Sequence, residues 1–235
     1  MIFRPFLYEE TACASYLFGC LTKSELAVVD AHIELVPAYV EAAERTGAPI
    51  VAVFETHVQA DHVSGQAALA EATGANVYRP ESLQDGQVIA LGNTMVTVIS
   101  TPGHAPVHNA FLVADKRRGT SEPWLVFTGD SLLVGDVGRP DLHADGAAER
   151  MARAQFRSLH RLLELPDHVL VYPSHYGGSV CGRSLSANPF SSIGFERRHN
   201  QALAHDDASS FARALLTDVP PPPANQTEIV ALNRR

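Results

Sequence analysis

The chain has 235 residues, room for one to two domains at about 150 residues each, and it can bury roughly 70% of its unfolded surface without staples. Apolar residues make up 46% and charged residues 19%, which excludes disorder, collagen and coiled coil, and a formal charge of −8 offers no basic face to nucleic acid. Three cysteines exclude a disulfide scaffold, no apolar run approaches the ~18 residues of a membrane span, and Glu9 and Glu10 interrupt any signal-type core; a cytoplasmic protein with free thiols is expected.

In chain order, 2–8, 14–18 and 26–29 read as short strands. Residues 37–46 form a helix with Tyr39, Ala42 and Ala43 on one face and Gly47 as its stop. The β-branched run 50–54 is a buried strand. Ser64 caps a helix that runs to Thr73 and ends at Gly74. Strands follow at 76–78, 88–91 and 95–101, separated by Gly-containing turns. Residues 108–114 and 124–128 make a hairpin around a charged turn. The apolar spacing of Met151, Phe156, Leu159, Leu162 and Leu163 predicts a helix over 146–165, and 169–172 is a last buried strand. After Pro173 the chain is loop-rich, with helices expected at 195–204 and 208–216. Four prolines at 220–223 read as an extended spacer. The expected organisation is one domain over 1–218 with a Pro-rich extension over 219–235. That tail could lie on a neighbouring copy, which leaves a homo-oligomer open.

Eleven histidines are the one compositional pointer to chemistry, because neutral imidazole is the commonest metal ligand. Five segments set ligand-type residues directly after strand-like runs: Thr56-His57-Val58-Gln59-Ala60-Asp61-His62, Thr101-Pro102-Gly103-His104, Thr128-Gly129-Asp130-Ser131, Gly135 to Asp141, and Tyr172-Pro173-Ser174-His175. Strand ends are where a rigid scaffold carries site residues on loops. A lone His after a strand is ordinarily a hydrogen-bonded loop residue, and His32, His143, His160, His168 and His205 are placed in that class. The ordered set His57, Asp61, His62, His104, Asp130 and His175 points to a metal site.

The series T-H-x-x-x-D-H, T-P-G-H, T-G-D and Y-P-x-H resembles the metallo-β-lactamase superfamily, in matching order over 50–175. The resemblance implies an α+β fold, an αββα sandwich of two mixed sheets with helices outside and a metal at one rim. The superfamily's usual first motif is H-x-H-x-D-H, and Gln59 stands in place of its second histidine. A neutral amide is a far poorer zinc ligand than imidazole. His57, His104 and Asp130 remain, two imidazoles and one carboxylate, which is the facial set of non-haem Fe(II). That set, the run TGDSLLVGDVGRPDL over 128–142, GSVCG over 178–182 and SSIGFERRHN over 191–200 are similar to the persulfide dioxygenase branch. The resemblance implies one Fe(2+) per chain and oxidation of a low-molecular-weight persulfide by O2 to thiol and sulfite. Asp61, His62 and His175 would then orient ligands or shuttle protons, and Tyr176 could donate to a bound oxygen or simply pack.

For substrate binding, Arg139 could pair with a carboxylate or with Asp136 or Asp141, and Cys181 could handle sulfane sulfur or be an inert buried thiol. Cys13 and Cys20 are assigned to packing. Two rivals stand beside this reading: a Zn2+ hydrolase of thioesters or lactones using Asp61, His62 and His175 with Asp130 assisting, and a non-enzymatic metal- or sulfur-sensing module.

Overall fold

A computed structural model describes residues 1–118, 122–143, 146–219, 221–223 and 225–234. The tip of the expected hairpin and the first of the four prolines therefore lie outside the described residues. In chain order the described elements are β1 (Ile2–Tyr8), β2 (Cys13–Cys20), β3 (Glu25–Val29), α1 (Val36–Thr46), β4 (Ile50–Phe54), α2 (Gln66–Thr73), β5 (Asn76–Tyr78), β6 (Val88–Leu91), β7 (Thr94–Ser100), β8 (Asn109–Asp115), β9 (Leu125–Gly129), α3 (Ala148–Leu162), β10 (Leu170–Pro173), β11 (Ser191–Ser192), α4 (Ile193–His199), α5 (Ala208–Leu215) and α6 (Gln226–Asn233).

The period-two alternation of the strands decides which side chains go where. One sheet runs β1-β2-β3-β4-β5 and the other β11-β10-β9-β8-β7-β6. Each is mixed: β3, β4 and β5 are parallel neighbours, as are β9 and β10, and the remaining pairs are antiparallel. Between the sheets lie Tyr16, Phe18, Phe54, Phe111 and Phe127, with the Phe18 and Phe127 rings 5.0 Å apart. On the outer face of the first sheet, Leu26, Val28 and Val53 pack against Tyr39 and Ala42 of α1 and Leu69 of α2. On the outer face of the second, Val126 and Val171 meet Leu159 and Leu162 of α3 and Phe211 and Leu215 of α5. The result is the expected αββα sandwich, helices outside two mixed sheets. Among the described residues no helix is long and apolar enough to cross a membrane.

Most elements fall where local signals place them. Gly47 and Gly74 close α1 and α2 in left-handed conformations, because glycine adopts a positive φ without steric cost. The helix expected over 195–204 begins at Ile193, capped by Ser192, and ends at His199. It stops because Asn200 turns extended and its side chain caps a short 3-10 turn instead. The tail differs most from expectation. Residues 221–223 carry no regular structure, but 226–233, within the expected Pro-rich extension, form a helix.

The strand directions bring the histidine motifs together. The C-terminal ends of β3, β4, β7, β9 and β10 all open at one rim of the sandwich. The antiparallel β2 begins at that rim, where Cys13 bridges to His175.

Candidate metal centre

His57 follows β4, His104 follows β7 and Asp130 follows β9, and all three are buried. Their ligand atoms lie within 4.8 Å of one another. The Asp130 Oδ2 atom stands 3.5 Å from His104 Nε2 and 3.9 Å from His57 Nε2. It is buried with no hydrogen-bond partner. A carboxylate oxygen at 0% exposure left unpaired is costly unless a cation or hydrogen-bond donor completes it. This orphaned atom facing two imidazoles fits a metal ion.

Outer partners fix which nitrogen each ring presents. His104 Nδ1 lies 2.9 Å from the Arg139 carbonyl, which only accepts, so Nδ1 carries the proton and Nε2 is free to ligate. Thr56 Oγ1 donates its one proton to the Asp30 carboxylate at 2.9–3.0 Å, so it accepts from His57 Nδ1 at 2.9 Å. The Asp130 backbone N–H donates to His108 Nε2 at 3.1 Å, and His108 Nδ1–H donates to Thr101 at 2.7 Å. Gly129 makes this packing possible: a Cβ there would sit 2.6 Å from both His108 Nε2 and Thr56 Oγ1. Burial and the neighbouring His104 hold His57 well below its ordinary pKa. Burial likewise lowers His104. Both rings are therefore neutral at physiological pH, as ligands must be. Burial resists ionisation of Asp130, but His175, His104 and His57 outweigh it and keep the carboxylate charged.

A second group adjoins the first. His175 Nδ1–H donates to Asp130 Oδ1 at 2.7 Å, and its Nε2 is 2.9 Å from Asp61 Oδ2. Asp61 Oδ1 is 3.1 Å from His62 Nδ1. Cys13 Sγ is 3.4 Å from His62 Nδ1 and 3.3 Å from His175 Nε2. The assignment of Cys13 to packing is therefore corrected: it is a polar member of this group. Burial opposes its ionisation, but His175 and His62 draw the thiol down to about 6.

Among the other sequence candidates, Gln59 is 1% exposed and both amide atoms are buried without a partner. It lines a cavity of about 260 Å3 together with His57, Glu55, Gln66 and Asn233. Arg139 is 5% exposed and bonded twice to Asp141, at 2.9 and 2.7 Å. Its side chain is thus engaged by the ion pair, and its backbone carbonyl serves His104. Cys181 is buried beside Asp130 and His175, and burial raises its pKa well above the thiol range. Tyr176 packs against the inter-sheet core with its hydroxyl buried and unpartnered.

Five site residues escaped the sequence reading or were set aside by it. Cys13 begins β2 and His108 directly precedes β8, so the strand-end signal passed over both. Asp30 directly follows the apolar run of β3, and that same signal could have found it. Its positive φ of 50° is tolerated better by Asp than by most residues. His143 was read as ordinary, yet its ring lies 5.7 Å from that of His104 and its Nε2 is buried and unpartnered. His32, also read as ordinary, stacks on His62 at 4.8 Å.

Residues 8–86 match the metallo-beta-lactamase superfamily. A hydroxyacylglutathione hydrolase of Chelativorans sp. (strain BNC1) is 31% identical over 205 residues, 80% of this chain and 74% of the relative. The mitochondrial persulfide dioxygenase ETHE1 of Homo sapiens is 26% identical over 182 residues, 72% of this chain and 66% of the relative. A crystal structure titled metallo-beta-lactamase, from Staphylococcus aureus subsp. aureus COL, superposes with a TM-score of 0.92 at 33% identity, covering 99% of this chain and 72% of that one.

Proposed function

The chain belongs to the metallo-beta-lactamase superfamily, and on that premise we propose that it is a non-haem iron dioxygenase. Its substrates are a low-molecular-weight thiol persulfide, such as glutathione persulfide, O2 and water, and its products are the thiol, sulfite and two protons. The observation that carries this reading is Gln59. A zinc hydrolase of the superfamily would use an imidazole at this position, and the amide here is buried and bonded to nothing. His57, His104 and Asp130 supply two imidazoles and one carboxylate, a set that suits Fe(II) and leaves positions open for small reactants.

Iron(II) held by His57, His104 and Asp130 would supply the redox chemistry toward O2 and persulfide sulfur. The chain's own residues prepare the place for it. Thr56 and the Arg139 carbonyl hold the two imidazoles in the tautomer that presents Nε2. His108 anchors the Asp130 backbone, and His175 holds Oδ1 so that Oδ2 faces the histidines. Asp61 and His62 lie behind His175 and fix its ring. Such outer partners set ligand orientation and basicity.

The zinc hydrolase reading has its own support: Asp61, His62 and His175 converge, and the 31%-identical relative is named a hydroxyacylglutathione hydrolase. One experiment separates the two. Protein purified without oxygen is assayed for iron and zinc, then for O2 uptake and sulfite on glutathione persulfide and for thioester hydrolysis. Iron with one O2 consumed per sulfite released is expected. Zinc with thioester turnover and no O2 uptake would replace this proposal with the hydrolase.

A further inference from the structure

We propose that His143 is a catalytic residue: its Nε2–H donates to the negative oxygen that develops as O2 is reduced on the open side of the His57, His104 and Asp130 group. This role rests on the dioxygenase reading for the reaction it serves.

Three imidazoles stand edge to face around one space. The ring centroids of His57 and His104 are 4.9 Å apart at 89°. His143 lies 5.7 Å from His104 at 75° and 6.4 Å from His57 at 90°. It is a neighbour of the ligand group and not a member: the donor atoms that lie within 4.8 Å of one another are those of His57, His104 and Asp130. The His143 residue is half-buried, yet its Nε2 atom is fully buried and has no hydrogen-bond partner. Asp130 Oδ2, which faces the two ligand imidazoles, is orphaned in the same way. A buried polar atom without a partner calls for one. A cation answers the carboxylate. A reactant in one of the positions that a facial set leaves open answers the imidazole.

The loop that carries His143 is pinned along its length. Gln155 donates to the Gly138 carbonyl at 2.6 Å, the Arg139 carbonyl accepts from His104 at 2.9 Å, the Arg139 guanidinium grips Asp141, and Gln226 of α6 donates to the Leu142 carbonyl. A donor on so fixed a segment needs little reorganisation when charge develops beside it. The cavity beside His57 and Gln59 shares Arg234 with this ring: Arg234 is among its lining residues and among the charges that act on His143. Neutral O2 gains little from an N–H donor. Negative charge gathers on oxygen as O2 is reduced and the sulfur is oxidised to sulfite, and a donor that favours this charge over the neutral reactant lowers the barrier.

Iron-loaded full-length protein tests this in two ways. With glutathione persulfide, His143→Leu should lower kcat for O2 uptake about 100-fold, with iron content and the KM for persulfide unchanged. His143→Gln, which keeps an N–H donor, should recover at least about a tenth of the wild-type rate. Nitric oxide, a probe that takes on negative charge when it binds ferrous iron, should bind His143→Leu at least about tenfold more weakly than wild type, read from the nitrosyl absorption. Equal nitric oxide affinity or an unchanged kcat overturns the role of His143, and so does loss of iron from folded His143→Leu, which would make His143 a ligand. Wild-type iron protein that takes up no O2 refutes the dioxygenase reading instead, and the nitric oxide comparison still decides whether His143 makes the contact. If His143→Leu does not fold, His143→Phe, a ring without a donor, takes its place.

Discussion

Gln59 is where one side chain sets the character of the rim. Its amide is buried and unpartnered beside His57, so replacing it with an imidazole adds a strong ligand where space and desolvation already exist. Gln59→His should raise zinc affinity at least tenfold in a competition titration and leave iron retention intact. Loss of iron in Gln59→Ala would instead make Gln59 a ligand. Asp130→Ala removes the shared carboxylate and should abolish iron binding and O2 uptake together. Gly138 carries a different constraint: a Cβ there would lie 1.9 Å from the Asp130 carbonyl oxygen and 2.9 Å from His104 Nδ1. Gly138→Ala should therefore lower both thermal stability and metal content. The motif residues were legible because each follows an apolar run, and the gap at Gln59 was legible by comparison with the superfamily pattern. Cys13 and His108 were not, because their contacts join strand starts to motifs 49 or more residues and 22 residues away, and no local pattern encodes such meetings.

α6 shows the same limit for a whole element. The segment 226–233 follows prolines, and only Ile229 and Asn233 within it are buried. Eight residues with so little apolar surface make a marginal helix in isolation, so its sequence reads as tail. Tertiary contacts define it. Asn233 Oδ1 accepts from the Ser64 N–H at 2.8 Å, its Nδ2 donates to the carbonyls of Gln59 at 3.0 Å and His62 at 2.8 Å, and its own carbonyl accepts from Gln66. By contrast α1 and α3 carry apolar stripes that announce them, α1 with a glycine stop at Gly47, and the strands show themselves by β-branched runs. Asn233→Ala leaves the Gln59 and His62 carbonyls of the first motif and the Ser64 N–H after it buried without partners and should destabilise the protein by about 2–3 kcal/mol. It should also speed metal loss to a chelator, because the loop bearing His57, Asp61 and His62 is no longer pinned. Unchanged chelation kinetics would confine α6 to a packing role.

For the molecule as a whole, the rim concentrates histidines that refuse protons. Burial foremost, then neighbouring groups, lowers His32 and His143 to about 4 and His108 to about 3. His57 and His104 are lowered for the same first reason. In the unfolded chain these rings titrate near 6.5. As pH falls from about 6.5 toward about 3, the unfolded state therefore takes up protons that the folded state rejects, and stability falls. His62 and His175 work the other way: burial pulls both down, but Asp61 and Cys13 raise His62 to about 10 and Asp130 foremost raises His175 well above its ordinary value, and their contributions are lost only as pH rises through the raised values. Below about pH 6.5 both are protonated in either state, so the five lowered rings leave a net loss in acid. Urea midpoints of the metal-free protein should drop steeply from about pH 7 to about pH 4.5, and a flat profile would contradict the burial of these rings. The pinning of the first motif also has a consequence in time. Gln59 and His62 are synthesised 174 and 171 residues before the side chain that holds their carbonyls. Contacts of such sequence separation close late. A nascent chain can lay down the motif and even touch metal with it, but the grip that retains the ion is completed only once residue 233 has emerged, so premature loading by whichever ion arrives first stays reversible until the fold has closed.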